Sequence, residues 1–357
     1  MPILDDLRDL MLIPAVSGYE GPVREMIKAR LALPTRTDRM GNLIATLEGS
    51  GPTIMLFTHM DQLGLIVRKI DDDGMLRVHR LGGVPERALP ACEVVVRTSD
   101  GEHLPGVIGI KSHHATKPEE KYQVLPADQL YIDTGHTSQS EVLAAGIDIG
   151  SPIAYAPSFT ALAGGRVTGT SVDDRAGCAV LLDVAHRLLD IPARATVHIV
   201  FSTQEEFNLR GAMVAAHTLQ PDIAIQIDLM MASDTPDMAE VGDLRLGGGP
   251  AISLYSFHGR GTLNGVLPHP SLVALFERTA SQEHINLQRS AQVGALTDLS
   301  YVQLVGKGVA SIDVGFPMRY SHSPREVVQI SDLKELSRLL VAALRGITAD
   351  FPLERGT

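Results

Sequence analysis

From Gly165 onward the chain alternates strictly between two textures. Near-continuous apolar runs, ATVHIVFS (195–202), DIAIQID (222–228) and VASIDVG (309–315), are separated by stretches of helical period. In RAGCAVLLDVAHRLL, residues Gly177, Val180, Leu181, Val184 and Leu188 fall at i, i+3, i+4, i+7 and i+11, one face of a helix. NLRGAMVAAHTL, PSLVALFERTASQEH and SDLKELSRLLVAAL read as further helices. Strands that are apolar on both faces and separated by helices can bury their surface only in a mostly parallel central sheet covered by helices on both faces. The fold class is therefore α/β.

The alternation is interrupted upstream. Leu4–Leu12 and Gly21–Leu33 read as amphipathic helices, and TIMLFTHMDQLGLIVRKI (53–70) starts as a buried strand and continues into a second extended segment. From about Val67 to Gly165 short apolar stretches such as CEVVVRT, GVIGI and QLYIDTG are broken by Gly, Pro and Asp turns, the pattern of a small all-β unit. Residues 1–66 and 166–357 are expected to form one discontinuous α/β domain, with 67–165 inserted as a β-rich, barrel-like domain. Two domains suit a chain of 357 residues.

Composition excludes several functions. With 31 basic and 42 acidic residues the formal net charge is −11, the wrong sign for neutralising phosphates, and only 4% of residues are aromatic. A nucleic-acid partner is not expected. Nor is a membrane partner, since no apolar run is long enough to span a bilayer. The segment MPILDDLRDLMLIPAVSGYEG is acidic where a signal peptide is basic, and Cys92 and Cys178 make no disulfide framework. A cytoplasmic location is the expectation.

The unusual residues fall where a parallel sheet puts its ligand site, at the carboxyl ends of strands. His59 follows TIMLFT, Glu205 and Glu206 follow TVHIVFS, Asp228 ends DIAIQID, and His322 lies in RYSHSP shortly after VASIDVG. Asp173 and Asp174 stand in SVDDRAG, just before a helix. Adjacent glutamates leaving a buried strand need compensating charge. Two imidazoles with several carboxylates suit zinc, cobalt or manganese, and more than three candidate ligands favour two ions over one. Neighbours on an extended chain point opposite ways, so one glutamate can bind metal while the other faces a bound water. Asp61, two positions past His59, returns to its side and could accept the second ring N–H of that histidine.

The motifs HMD, DDR, QEE, a strand-ending Asp and YSHSP, in this order, resemble the M42 family of metalloaminopeptidases, which includes glutamyl and tetrahedral aminopeptidases. GGVPERALPACEVVV, GVIGIKSHH, LYIDTGHTSQSEVLAAGIDIGSPI, LGGGPAIS, GALTDLS and MRYSHSPREVV extend the resemblance over nearly the whole chain. It implies two divalent cations per subunit, with His59 and His322 as terminal ligands, Asp173 as the bridge, and Glu206 and Asp228 as one further ligand each. It implies Asp174 as support, a cis bond after Asp173, and Glu205 as the general base that takes a proton from a bridging water, with Asp61 beside the catalytic group. The implied substrates are short peptides trimmed from the N-terminus. The implied assembly is a homo-oligomer, a dodecamer built from dimers through the β insertion. The insertion's place between His59 and Asp173 favours an aminopeptidase over a related deacylase or carboxypeptidase, and a full ligand set argues against a non-catalytic metal-stabilised assembly.

The chain departs from the family pattern at three positions. Gln62 stands where an acid is expected, and Phe207 and Asn208 where a small residue or valine and then glycine are expected. These bear on substrate preference, with Phe207 and Asn208 expected to narrow or reshape the pocket. A glutamyl preference requires a basic group in the pocket; Arg245, Arg260 and Arg319 are the candidates, and chain order alone does not place them. His113 and His114, in KSHHATKPEEKY, read as loop residues of the insertion. His79, His198, His217, His258 and His269 read as structural, GGGP (247–250) as a turn, and Cys178 as a small packing residue.

Overall fold

In a computed structural model, which describes residues 3–258 and 265–355, a twelve-stranded sheet carries the helices and a closed six-stranded barrel stands beside it. The centre of the large sheet is parallel. Thr53–His59 lies between Thr196–Ser202 and Ile223–Met231, and Ala310–Arg319 follows on the far side of Ile223–Met231, all four running the same way. The flanks are antiparallel. Thr35–Thr37 and Leu43–Leu47 close one side, while Glu326–Gln329, Arg166–Gly169 and Phe159–Leu162 close the other. Ala251–Phe257 pairs antiparallel with Ala310–Arg319 and parallel with Gln288–Val293. Ala251–Phe257 and Gln288–Val293 were not read from the sequence.

The apolar runs serve both faces because successive side chains on a strand point opposite ways. Ile54 and Leu56 enter a core with Ile3–Met11, Val172–Asp190, Pro270–Gln282 and Ile330–Arg345. Met55 and Phe57 enter a second core against Gly211–Leu219 and Leu299–Val302. Leu56 is fully buried, so Leu56→Ala would cost about 2–5 kcal/mol. The expected start of the Gly211–Leu219 helix at Asn208 is displaced because Asn208 and Leu209 take positive φ, +70° and +55°, and form a turn. Two sheet strands outrun their sequence signal. Ile223–Met231 and Ala310–Arg319 each continue past the last apolar residue read from the chain.

The barrel runs in the order Gly64–Ile70, Leu76–Leu81, Tyr131–Asp133, His103–Ile108, Glu93–Arg97 and Pro152–Tyr155, every pair antiparallel. Its interior is packed with Val67, Val78, Val94, Val96, Ile132 and Ile153, so it is a solid core and not a pore. Closure leaves it no free sheet edge. Among the described residues no helix is long and apolar enough to cross a membrane.

Candidate metal centre

Sheet register brings the candidate ligands to one edge. Ser202 is level with His59, so Glu205 and Glu206 emerge three and four residues beyond the same line. Gln226 is level with Phe57, which puts Asp228 level with His59 two residues further on. Asp173 and Asp174 enter from the start of the Val172–Asp190 helix, joined by a cis peptide bond, and His322 from the loop after Ala310–Arg319. Six non-glycine residues with positive φ flank these ligands: Ser171, Gln204, Asn208, Leu209, Tyr320 and His322. Left-handed backbone at such residues persists only where surrounding contacts enforce it, and it clusters at functional sites.

The two histidines approach Asp173 from opposite sides. His59 Nε2 lies 3.1 Å from Asp173 Oδ1, and His322 Nε2 lies 3.5 Å from Asp173 Oδ2. Each ring is oriented by a carbonyl on its far side. His59 Nδ1 lies 3.2 Å from the Asp61 main-chain oxygen and His322 Nδ1 lies 3.0 Å from the Gly83 oxygen. A carbonyl can only accept, so Nδ1 carries a proton in both rings, which leaves Nε2 as the nitrogen placed to face a metal. His59, Asp173 and Asp228 bring one donor atom each within 4.8 Å of one another, and so do Asp173, Glu206 and His322. Asp173 belongs to both sets.

Glu205 is in neither set. Its Oε2 lies 4.0 Å from His59 Nε2 and its side chain lines a cleft of about 700 Å³ that also exposes Asp173, Asp228 and His322. Glu206 lines the same cleft, and it is the one of the pair that joins a donor set. Asp61 sits on the Nδ1 side of His59, its Oδ1 3.5 Å away, yet its carboxylate does more elsewhere. It accepts from the main-chain N–H groups of Glu205 (3.0 Å) and Glu206 (3.1 Å) and from Ser17 Oγ (2.6 Å), and so holds the turn that presents both glutamates. Asp174 accepts from Gly177 N at 2.9 Å and from Thr58 Oγ1, under the site and capping the helix that follows. Asp228 is held by Gln226 Nε2 (2.9 Å) and the N–H of Leu229 (2.7 Å).

These carboxylates are charged at a cost. Burial pushes Glu205, Glu206 and Asp174 well above the usual carboxylate range. His59 offsets part of this for all three, while the charges of Glu206 on Glu205, of Asp173 on Glu206 and of Asp228 on Asp174 add to it. Burial likewise pushes Asp228 up to about 7. His59 moves the other way from its own burial. The charge of Glu205 and the contacts with Asp173 and Asp61 raise it well above its ordinary value. An assembly of acids that resists ionisation when dry is one that cations would stabilise. Glu206 Oε1 is buried with no hydrogen-bond partner, a lone pair left for a ligand. The donor chemistry, imidazole nitrogen with carboxylate oxygen, fits zinc, cobalt or manganese.

The family pattern of M42 glutamyl aminopeptidases matches residues 41–339. The chain belongs to the M42 peptidases. It is 32% identical to the lysyl aminopeptidase of Pyrococcus furiosus, the match covering 95% of each chain. Aminopeptidase APDkam598 of Desulfurococcus kamchatkensis superimposes with a TM-score of 0.91 at 34% identity, over 98% of this chain and 96% of that one. The TET1 peptidase of Pyrococcus horikoshii, which can assemble into a tetrahedron or a large octahedral shell, superimposes with a TM-score of 0.85 at 30% identity, over 95% and 98%. This M42 peptidase is thus a peptide hydrolase of a metal-dependent family, with a candidate cation-binding cluster among its described residues.

The departures from the family pattern now have physical accounts. Asn208, at φ +70°, occupies the left-handed region a glycine would take and that asparagine tolerates better than most residues. Of the pair expected to narrow or reshape the pocket, Asn208 lines the cleft and Phe207 does not. It turns outward, with Arg210 stacked 4.7 Å from its ring centroid. Gln62 Oε1 accepts from Ala15 N (3.1 Å) and Arg175 Nη2 (3.3 Å). Arg175 is wholly buried, and its Nε and Nη1 have no hydrogen-bond partner. GGGP forms a turn whose N–H groups at Gly247 and Gly249 donate to Asp332, and Cys178 is buried in the main core. His113 and His114 lie in an exposed loop of the barrel. His258, read as structural, lines the cleft, as does Arg87. Arg319 is paired with Asp234 through two contacts of 2.7 Å, Arg245 is exposed, and Arg260 lies outside the described residues. The sequence reading also missed Glu20, whose Oε1 accepts from Gly18 N and Gln204 N, and Glu326, whose carboxylate accepts from Asp173 N and His322 N. Glu326 stands inside the quoted motif SHSPREVV; only the spatial neighbours reveal its bonds.

Proposed function

We propose that this M42 peptidase is an aminopeptidase that removes N-terminal residues from short peptides, using two divalent cations per subunit. Zinc or cobalt fits first and manganese next. The observation that carries the reading is Asp173, whose two oxygens each face a different imidazole Nε2. His59 and Asp228 would hold one cation, Glu206 and His322 the other, and Asp173 both. When bound, the cations supply a water acidic enough to attack at neutral pH and polarise the scissile carbonyl. Glu205 stands at the cleft wall with a proton affinity raised by burial, suited to accept a proton from the attacking water and pass it to the leaving amine. Asp61 fixes the backbone from which Glu205 projects. The surplus of carboxylates in the cleft attracts a free α-ammonium group, which selects unblocked N-termini.

We assign the barrel to assembly, with residues 67–165 as the oligomerisation unit of a chain whose remaining residues form the peptidase domain. Exposed Ile110, Tyr122, Val124 and Leu125 on its long loop offer apolar surface to a second copy. Dimers along the edges of a tetrahedron make a dodecamer, the assembly this reading favours. Unpaired Cys92 and Cys178 suit the cytoplasm.

The test is to strip the protein with chelator, reload it with zinc, cobalt or manganese, and assay aminoacyl anilides beside N-acetylated controls. Cleavage should return with metal and require a free amine. Glu205→Gln should lower kcat by roughly 10²–10⁴ with two cations still bound. Turnover of the acetylated compounds alone would instead mark a deacylase. Full activity in Glu205→Gln would remove that residue as the base.

A further inference from the structure

Glu326 is the first residue of Glu326–Gln329, a strand that lies between Ala310–Arg319 and Arg166–Gly169. The first of these neighbours runs out to His322, and the second to Asp173. Both exits are irregular, with Ser171 at φ +62°, Tyr320 at +61° and His322 at +68°, so neither position is set by regular backbone geometry. Glu326 is 2% exposed and reaches across both. Its Oε1 accepts from the N–H of His322 at 2.8 Å and its Oε2 from the N–H of Asp173 at 3.1 Å.

Nothing else claims this side chain. Among the described residues no Lys or Arg pairs with it, and the guanidinium of the adjacent Arg325 turns away to Ser158 Oγ. It does not line the large cleft, where a substrate would lie. It borders instead a water-sized recess of about 10 Å³, behind Asp173, Glu206 and His322, together with Tyr155 from the barrel. Tyr155 Oη and Glu206 Oε1 are both buried there without partners.

We propose that Glu326 is a positioning residue that sets the spacing between Asp173 and His322 and so builds the second donor set, Asp173, Glu206 and His322. It touches neither His59 nor Asp228, so its influence on the first set is confined to the shared Asp173. A carboxylate suits the task because both of its oxygens accept. The isosteric amide of Gln presents one acceptor and one donor, and the donor would face an N–H group. Asp keeps both oxygens but shortens the arm, so it reaches one N–H and not the other.

This inference rests on the two-cation reading, and the experiment separates them. Zinc binding to the full chain is measured by titration calorimetry, and zinc content after dialysis at fixed free zinc, for wild type, Glu326→Gln, Glu326→Asp and Asp332→Asn. Asp332 is the control because it is 1% exposed and likewise accepts from two main-chain N–H groups, those of Gly247 and Gly249, away from the donor sets. Wild type should bind two zinc ions per chain. Both Glu326 variants should bind the first normally and the second with affinity weakened about 10- to 100-fold. Asp332→Asn should lower the melting temperature and keep both affinities. Two normal affinities in either Glu326 variant that folds, whatever its melting temperature, overturn the proposal, as does an equal weakening of both sites. Where Glu326→Gln does not fold, Glu326→Asp decides alone. A wild-type chain that binds a single zinc ion overturns the two-cation reading itself.

Discussion

The two halves of the candidate metal centre are built differently. His59 is 1% exposed at the end of a central strand, and Asp228 stands level with it one strand away. The His322 side chain is 37% exposed, on a loop, and its ring is steered by a carbonyl of the barrel. One half is a product of sheet register, so its geometry comes with the packing of the parallel core. The other half joins a helix start, a loop and a strand turn, and needs hydrogen bonds of its own to exist. A donor set on the sheet can be no looser than the sheet. One on loops is as firm as its supports.

The largest contrast should appear on truncating the two histidines. His59→Ala removes a ligand and leaves buried Asp173 Oδ1 without its imidazole partner, so it should cost roughly 1–3 kcal/mol of stability as well as one cation. His322→Ala should lose the other cation and shift stability by no more than about 0.5 kcal/mol, as expected at a half-exposed loop position. Denaturant melts of the metal-free proteins and zinc content read the two effects. A more destabilising His322→Ala would break the comparison.

The pH dependence of the metal-free protein should follow the buried half. Burial pushes Asp228 up to about 7 from an ordinary 3.8, and does the same to two buried neighbours, Asp298, which accepts from Ser202 Oγ, and Asp313, which accepts from Thr297 Oγ1. Between those values the folded chain holds protons that the unfolded chain has released, so folding stability falls as pH rises from about 4 to 7. His59, raised above its ordinary 6.5, acts in the same direction, its contribution present below that value and lost as pH rises through the folded one. Each extra proton is worth about 1.4 kcal/mol per pH unit. Stabilisation by zinc should grow over the same range as protons leave the ligands. Melting temperatures of chelated and loaded protein at pH 5.5, 6.5 and 7.5 would show it. A chelated chain that melts highest at pH 7.5 would contradict this account of the buried carboxylates.

The same contrast explains what could be read from the chain. The ends of TIMLFT, TVHIVFS and DIAIQID were legible because an apolar run bounded by a polar residue marks where a buried strand leaves the core, and parallel register then gathers those ends. The convergence of His59, the glutamate pair and Asp228 follows from that alone. The partnership of Glu326 with two separate main-chain N–H groups depends on loop conformations at Ser171, Tyr320 and His322, and positive φ at a serine, a tyrosine and a histidine has no sequence signal. The carbonyl of Gly83 against His322 is equally silent, since it depends on how the barrel sits on the sheet. A Cβ at Gly83 would stand 3.0 Å from that ring, so the glycine makes the approach possible without announcing it. Phe207 was misjudged for a similar reason: its direction is decided by Asn208 and Leu209 turning into the left-handed region.

A further effect is expected under the His59 half, at Gln62. Gln62→Glu would give the buried Arg175 guanidinium a carboxylate in place of an amide oxygen. Stability should rise by about 1–3 kcal/mol in a thermal melt, as for hydrogen bonds to charged groups, with zinc affinity unchanged. A loss of stability would mean that desolvating the new carboxylate outweighs its pairing with Arg175.

The threading of the large sheet also governs timing. Strand Leu43–Leu47 waits for Thr196–Ser202 as its neighbour, and Ile223–Met231 waits for Ala310–Arg319. During synthesis the donors emerge singly, His59 early and His322 only when nearly the whole chain has been made. A fragment ending anywhere before His322 holds an incomplete set and cannot bring it together by local folding. Assembly of the two donor sets therefore depends on pairings between distant parts of the chain.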